Sequence, residues 1–130
     1  MPIKLILAVG KNPALLENRS RILRNAGYIV DSEYSVRDAI ERFKQGDFDL
    51  VLLCHSMPVH DRKRLTQSIR AFGSLTPIVS VAPLNTYIMD IFADAMIEDA
   101  PEKLLSGIHG AFLKATALYQ PRDREWAFFY

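Results

Sequence analysis

The sequence lacks features that are typical of several classes of protein: paired cysteines, a strong net charge and long apolar runs. Among its 130 residues there is one cysteine, so no internal disulfide can form, and a formal net charge of +1 gives no basic field for nucleic acid or an anionic membrane. No segment approaches 18 consecutive apolar residues, and the N-terminal apolar run is too short for a signal sequence. We therefore expect a cytoplasmic protein that binds neither nucleic acid nor membrane.

Motifs for catalysis and for cofactors are also missing. The stretch "VGKNP" after the first apolar run has one glycine and a proline, which is not a phosphate-binding loop, and there is no G-x-S-x-G elbow. His55 and His60 lie near Cys54 but lack the spacing of a zinc site, so both are predicted to be surface residues. These absences argue against an enzyme, a cofactor or a metal site, and leave a ligand-binding module as an alternative.

What is present is a regular alternation in a chain that is 49% hydrophobic and 24% charged. Five apolar runs predict strands and are separated by amphipathic stretches that predict helices, with a short, poorly periodic piece at 84–92. This pattern predicts a doubly wound, five-stranded parallel sheet of the flavodoxin-like α/β type with a shortened fourth helix. In such sheets the functional groups gather beyond the carboxyl ends of the strands. The predicted strands are 3–9, 28–34, 48–54, 76–82 and 95–99, and the last helix is 101–117.

The first helix is predicted to begin after Asn12, because an asparagine followed by a proline supplies a side-chain cap and a preset φ angle. Its arginines, Arg19, Arg21 and Arg24, are predicted to form a solvent-exposed face.

The stretch "DLVLLCHSMP", residues 49–58, carries the strongest likeness to a known family. With "GDFD" before it and "TPIVSV" in the fourth strand, the chain resembles the response-regulator receiver domain of bacterial two-component signalling over about residues 3–117. The resemblance implies a receiver-like domain over residues 1–117, followed by an aromatic C-terminal tail over 118–130.

The resemblance also marks the residues at which the chain departs from the family's chemistry. Phosphoryl transfer there requires an aspartate nucleophile, an acidic pair that holds Mg²⁺, a hydroxyl and a lysine. Here Cys54 takes the nucleophile position, and Arg62 stands where a glycine is expected after Asp61. The acidic pair is replaced by Gly10, Lys11 and Asn12, the hydroxyl by Ala82, and the lysine by Asp99 or, in a neighbouring register, Glu98.

These departures predict a degenerate, or pseudo-, receiver that is not phosphorylated. It would act in signal transduction by binding another signalling protein or a second copy of itself. Compared with the family, the charges are reversed: a lysine follows the first strand, and acids end the fifth. This reversal predicts an ion pair from Lys11 to Glu98 or Asp99 across the carboxyl edge of the sheet, worth about 0–1 kcal/mol.

A thiol-based redox sensor is the alternative function. Cys54 would lie in an accessible loop, and Lys11 would favour its thiolate. Against this, a free cysteine usually behaves as a small buried hydrophobe, and the chain offers no second thiol.

The tail is predicted to be an interaction element, through Trp126, Phe128, Phe129 and Tyr130, because aromatic side chains dominate interface anchors. It is expected to fold back on its own domain or to dock on a partner. Since 13 residues follow Ala117, no DNA-binding output domain is expected.

Overall fold

The computed structural model describes residues 4–83 and 90–114. Strands and helices alternate along residues 4–83, as the apolar runs predicted. The elements are β1 (Leu5–Val9), α1 (Pro13–Asn25), β2 (Ile29–Glu33), α2 (Val36–Gln45), β3 (Leu50–Cys54), α3 (Val59–Ala71), β4 (Ile78–Ala82), β5 (Ala95–Glu98) and α4 (101–114).

The five strands form one parallel sheet in the order β2-β1-β3-β4-β5. Strands β3 and β4 are buried along their whole length, which is why they read as continuous apolar runs. This strand order confirms the prediction of a doubly wound, flavodoxin-like fold.

Helices cover both faces of the sheet, and alternate residues of each strand point to opposite faces. On one face, α1 and α4 pack through Leu16 and Leu104 in a core cluster that includes Cys54. On the other face, α2 and α3 pack through Ala39 and Leu65. Leu53, the residue before Cys54, is accordingly packed in the cluster on the α2 and α3 face.

Helix boundaries follow the capping signals in the sequence. The Asn12 side chain accepts a hydrogen bond from the Leu15 N–H at 3.2 Å, and Pro13 occupies the first turn of α1. The chain leaves α1 through Gly27, whose φ of +102° is a conformation that favours glycine.

The predicted fourth helix and the aromatic tail fall largely on residues that are not described. Residues 84–89 and 115–130 lie outside the described ranges, while residues 91–94 form turns and a bend rather than a helix. In the described part of the chain, no helix combines the length and apolarity needed to cross a membrane.

Candidate functional site

The loops after β1 and β3 lie directly against each other at the carboxyl edge of the sheet. The Lys11 backbone N–H donates to the Ser56 hydroxyl at 3.0 Å. A Cβ atom built at Gly10 would stand 2.9 Å from Ser56 Oγ, closer than real Cβ atoms approach, and 3.0 Å from Cys54 Cβ, which is tighter than most real contacts. Position 10 therefore has no room for a side chain unless its neighbours move, and an acidic residue could not simply be added there.

Cys54 is the last residue of β3 and is fully buried. Burial raises the pKa of its thiol, and the nearby positive charge of Arg19 offsets only part of that effect. The prediction that Cys54 is a small buried hydrophobe is confirmed, and the accessible position that the redox alternative requires is wrong, because β3 ends at Cys54 and its side chain points into the core cluster with α1.

Arg19, predicted to be at the surface, is the charged group that faces Cys54. It is 5% exposed and binds Asp99 with two hydrogen bonds, from Nε to Oδ1 at 3.2 Å and from Nη2 to Oδ2 at 2.7 Å. Burial alone would lower the pKa of Arg19, but the hydrogen bonds to Asp99 and the nearby thiol of Cys54 raise it. Its Nη1 is buried without a hydrogen-bond partner.

The sequence contained a signal for the burial of Arg19. The residue lies three positions after Leu16 and four before Leu23, both fully buried, so it shares their stripe on α1. Arginine was assigned to solvent because of its charge, whereas Asp99 at the end of the sheet provides a partner that allows burial. Arg21 and Arg24 are exposed, as predicted.

The predicted ion pair between Lys11 and Glu98 or Asp99 was wrong. The Lys11 Nζ atom lies 3.0 Å from Asp61 Oδ2, and Glu98 pairs with Lys103 at 3.1 Å. Lys11 follows β1, and three strand spacings, about 14 Å, separate β1 from β5, which is beyond the reach of a lysine side chain.

The remaining predicted site residues carry an amide, a methyl group and a carboxylate. The Asn12 amide caps α1, and Ala82 ends β4 with a buried methyl group in place of a hydroxyl. The Asp99 backbone N–H donates to the Ala82 carbonyl at 2.8 Å, and the Asp99 carboxylate is directed toward Arg19 beside Cys54. Asp99 rather than Glu98 therefore faces the nucleophile position.

Mg²⁺, which the family's chemistry uses, does not fit the side chains at this edge. Mg²⁺ prefers several hard oxygen ligands, and the loop after β1 offers a glycine, an ammonium group and an amide already used as a cap. The carboxylate of Asp61 is paired with Lys11, and the thiol of Cys54 is a soft ligand in a buried position.

A second group of polar side chains lies on the opposite face of the sheet, and the sequence did not predict it. Arg62 is 4% exposed and binds Asp90 from Nε to Oδ2 at 2.8 Å and from Nη2 to Oδ1 at 3.0 Å. Its Nη1 donates to the Met57 carbonyl. The Ser80 hydroxyl also donates to Asp90 Oδ2, at 2.7 Å, and His55 Nε2 lies 3.7 Å from the same oxygen. We call His55, Arg62, Ser80 and Asp90 the Asp90 cluster.

Burial alone would raise the pKa of Asp90, but hydrogen bonds from Arg62 and Ser80 hold it below its ordinary value. The prediction that both histidines lie at the surface holds for His60 and was wrong for His55, whose side chain is 10% exposed. His55 is buried because the residue after Cys54 turns toward the α2 and α3 face. The spacing of Arg62 from Leu65 and Ile69 placed it on the buried stripe of α3, but nothing in the sequence pointed to Asp90 as its partner.

Comparison with known proteins agrees with this architecture. Residues 6–115 match the model of the response regulator receiver domain, so the chain belongs to this family and is a receiver domain of two-component signal transduction. It is 35% identical over 86 residues to the two-component response regulator ORR41 of Oryza sativa subsp. japonica, covering 62% of this chain and 65% of that protein. It is also 35% identical over 68 residues, 52% of this chain, to hybrid signal transduction histidine kinase B of Dictyostelium discoideum, of which it covers 4%. The chain therefore spans less than two thirds of either relative.

Solved structures are similar in fold. The chemotaxis response regulator CheY4 of Vibrio cholerae matches with a TM-score of 0.74 and 21% identity, covering 85% of this chain and 99% of that one. A chain in the crystal structure of histidine kinase ThkA in complex with the response regulator TrrA matches with a TM-score of 0.68 and 21% identity, covering 84% and 98%. At these identities the likeness establishes the fold alone.

Proposed function

We propose that this chain is a pseudo-receiver, which takes part in signalling by binding another protein and is not phosphorylated by aspartyl phosphotransfer. The observation that carries the proposal is that the usual reaction site is filled by the chain itself. Cys54 is fully buried, and Arg19 and Asp99 are paired beside it. We infer no enzymatic activity and no cofactor.

Aspartyl phosphotransfer requires a nucleophile, a metal ion and a positive charge, and the residues at the candidate site disfavour each of them. A nucleophile must reach the phosphorus atom, but Cys54 is a thiol with no exposed surface and a raised pKa. A metal must neutralise the phosphoryl oxygens, but Lys11 and Gly10, where its acidic ligands are expected, offer an ammonium group and no side chain. The positive charge expected from a lysine is replaced by Asp99, and the guanidinium of Arg19 is already bound to that carboxylate.

A signalling protein is the proposed partner. One structure that the chain resembles in fold is a complex between a histidine kinase and a response regulator, and this favours a kinase as the first candidate. A second copy of the chain is the alternative. The cytoplasmic location, the domain boundary at residue 117 and the interaction role of the aromatic tail stay predictions.

The redox alternative is disfavoured by the same geometry. An oxidant would have to reach a sulfur atom that is closed off by the core cluster, and the thiolate would form in a buried environment that disfavours it. For the ligand-binding alternative, no observation in the described residues favours a specific ligand.

Incubation with acetyl phosphate and Mg²⁺, followed by intact mass spectrometry, tests the proposal. We expect no added phosphoryl group on the natural protein or on Cys54→Asp. In the variant the new carboxylate would lie in a buried position beside Arg19, and Mg²⁺ would still lack its acidic pair.

Cys54→Ala is the matched control, because it keeps a small buried side chain and removes the thiol. A phosphoryl adduct on the natural protein that Cys54→Ala lacks would overturn the proposal. An adduct on Cys54→Asp alone would show that the surrounding site retains catalytic capacity. Because Cys54→Asp buries a charge, its folding is checked by circular dichroism; the result for the natural protein does not depend on it.

A further inference from the structure

The Asp90 cluster contains a buried histidine without a hydrogen-bond partner. The side chain of His55 is 10% exposed, and its Nε2 is buried and makes no hydrogen bond. The nearest acidic atom, Asp90 Oδ2, is 3.7 Å away, which is too far for a hydrogen bond. The imidazole therefore packs against the Arg62–Asp90 ion pair, but its Nε2 atom has no hydrogen-bond partner there. Burial without a partner favours the neutral form of the imidazole.

The charges around His55 come from three elements. Arg62 on α3 and Arg19 on α1 place positive charge near the imidazole, and Asp90, which precedes β5, places negative charge there. Both carboxylate oxygens of Asp90 already accept hydrogen bonds, Oδ1 from Arg62 and Oδ2 from Arg62 and Ser80. A proton on His55 would therefore add a second cation that competes with Arg62 for a single carboxylate.

We propose that the Asp90 cluster is a proton-sensitive tie between α3 and the chain that leads into β5. While His55 is neutral, Arg62 and Ser80 hold Asp90 in place; when His55 takes up a proton, that attachment weakens. The tie involves residues other than those of the filled phosphorylation site, so this inference does not depend on the absence of phosphorylation. It supplies an input that a pseudo-receiver would otherwise lack.

Two backbone hydrogen bonds report on this tie. The Ala93 N–H donates to the Asp90 carbonyl at 3.0 Å, and the Asp94 N–H donates to the Ile78 carbonyl of β4 at 2.7 Å. Both lie within four residues of Asp90, on the path into β5. Release of Asp90 would expose these amides, so their hydrogen exchange measures the local opening.

The sign of the effect follows from the direction of the shift. Burial, and next the charge of Arg62, lower the pKa of His55 below its ordinary value of about 6.5. A group whose pKa is depressed in the closed state contributes stability that is complete above the ordinary pKa. That stability is lost as the pH falls from there toward the lowered value. One such group increases the equilibrium constant for opening by at most about tenfold per pH unit within this window.

The test combines two NMR measurements on the whole chain. A ring titration should show His55 taking up its proton below the ordinary histidine pKa of about 6.5. Exchange of the Ala93 and Asp94 amides, corrected for the intrinsic pH dependence of exchange, should stay constant above about pH 6.5 and accelerate as the pH falls from there to about pH 5.5. This acceleration should be absent in His55→Gln and present in His60→Gln.

A titration of His55 at or above the ordinary pKa of about 6.5 would overturn the proposal. So would an acceleration of exchange that persists unchanged in His55→Gln, since another group would then be responsible. If His55→Gln does not fold, the ring titration in the natural protein decides the question. Neither result bears on the acetyl phosphate experiment, so failure of the tie and failure of the pseudo-receiver proposal are distinguishable.

Discussion

Among residues 4–83 and 90–114, each face of the sheet carries one buried arginine that binds an aspartate, and the two aspartates differ in their exposure to water. In the pair on the α1 face, the Arg19 side chain is 7% exposed and that of Asp99 is 36% exposed. In the pair on the α3 face, Arg62 is 4% exposed and Asp90 is 1% exposed. The same two functional groups therefore stand in different dielectric surroundings.

The Arg62–Asp90 pair is also more completely hydrogen-bonded than the Arg19–Asp99 pair. Asp90 receives a third hydrogen bond from Ser80, and every nitrogen of the Arg62 guanidinium donates. In the other pair, Arg19 keeps one buried nitrogen without a partner. The Arg19–Asp99 pair beside Cys54 is therefore expected to contribute less to stability than the Arg62–Asp90 pair, which has the burial and hydrogen bonding of a strong structural element.

The largest effect is expected from Arg62→Met, which leaves the Asp90 carboxylate buried without its cation. Removing one partner of a buried pair typically costs about 3–5 kcal/mol, and we expect the free energy of unfolding to fall by that amount in urea titrations. Arg64→Met is the matched control, because Arg64 is an exposed neighbour on the same helix and should change stability by no more than about 0.5 kcal/mol. A loss below about 1 kcal/mol for Arg62→Met would remove the distinction between the two pairs.

The fold could be predicted from the sequence because its strongest signals are local. Strands β3 and β4 are buried on both faces and therefore appear as unbroken apolar runs, and the helix starts carry their own caps. The positions that depart from receiver chemistry could also be identified, because they lie within those runs or next to them.

The partners of the charged side chains could not be predicted, because they depend on which strand ends lie next to each other. Lys11 was assigned to an acid three strands away, although Asp61 was within reach. Arg62 and Asp90 are 28 residues apart, and Asp90 lies in a stretch without periodicity. Helical spacing does place Arg19 and Arg62 on buried stripes, and for Arg19 this spacing is a better guide to burial than its charge.

A smaller effect is expected from Arg19→Met, which tests the other side of the comparison. Asp99 would lose its cation but is exposed enough to be hydrated, and the variant also removes the unsatisfied Nη1 of Arg19. We expect a loss of about 1–2 kcal/mol in the free energy of unfolding. Arg21→Met, at an exposed position on the same helix, is the control. If Arg19→Met lowers the free energy of unfolding as much as Arg62→Met does, the greater exposure of Asp99 does not make its ion pair less important for stability.

The smallest effect is expected from the pair at the surface, Lys11 with Asp61, whose side chains are 48% and 20% exposed. Lys11→Met is the informative variant, because Asp61 also lies in the first turn of α3, where a negative charge stabilises the helix regardless of Lys11. We expect a loss of about 0–1 kcal/mol at low salt that shrinks toward zero at high salt, since solvent and ions screen exposed pairs.

Lys63→Met, which removes an exposed lysine from α3, should show no comparable salt dependence. A salt-independent loss for Lys11→Met that approaches the loss for Arg19→Met would mean that Lys11 holds the loops after β1 and β3 together by packing rather than by charge.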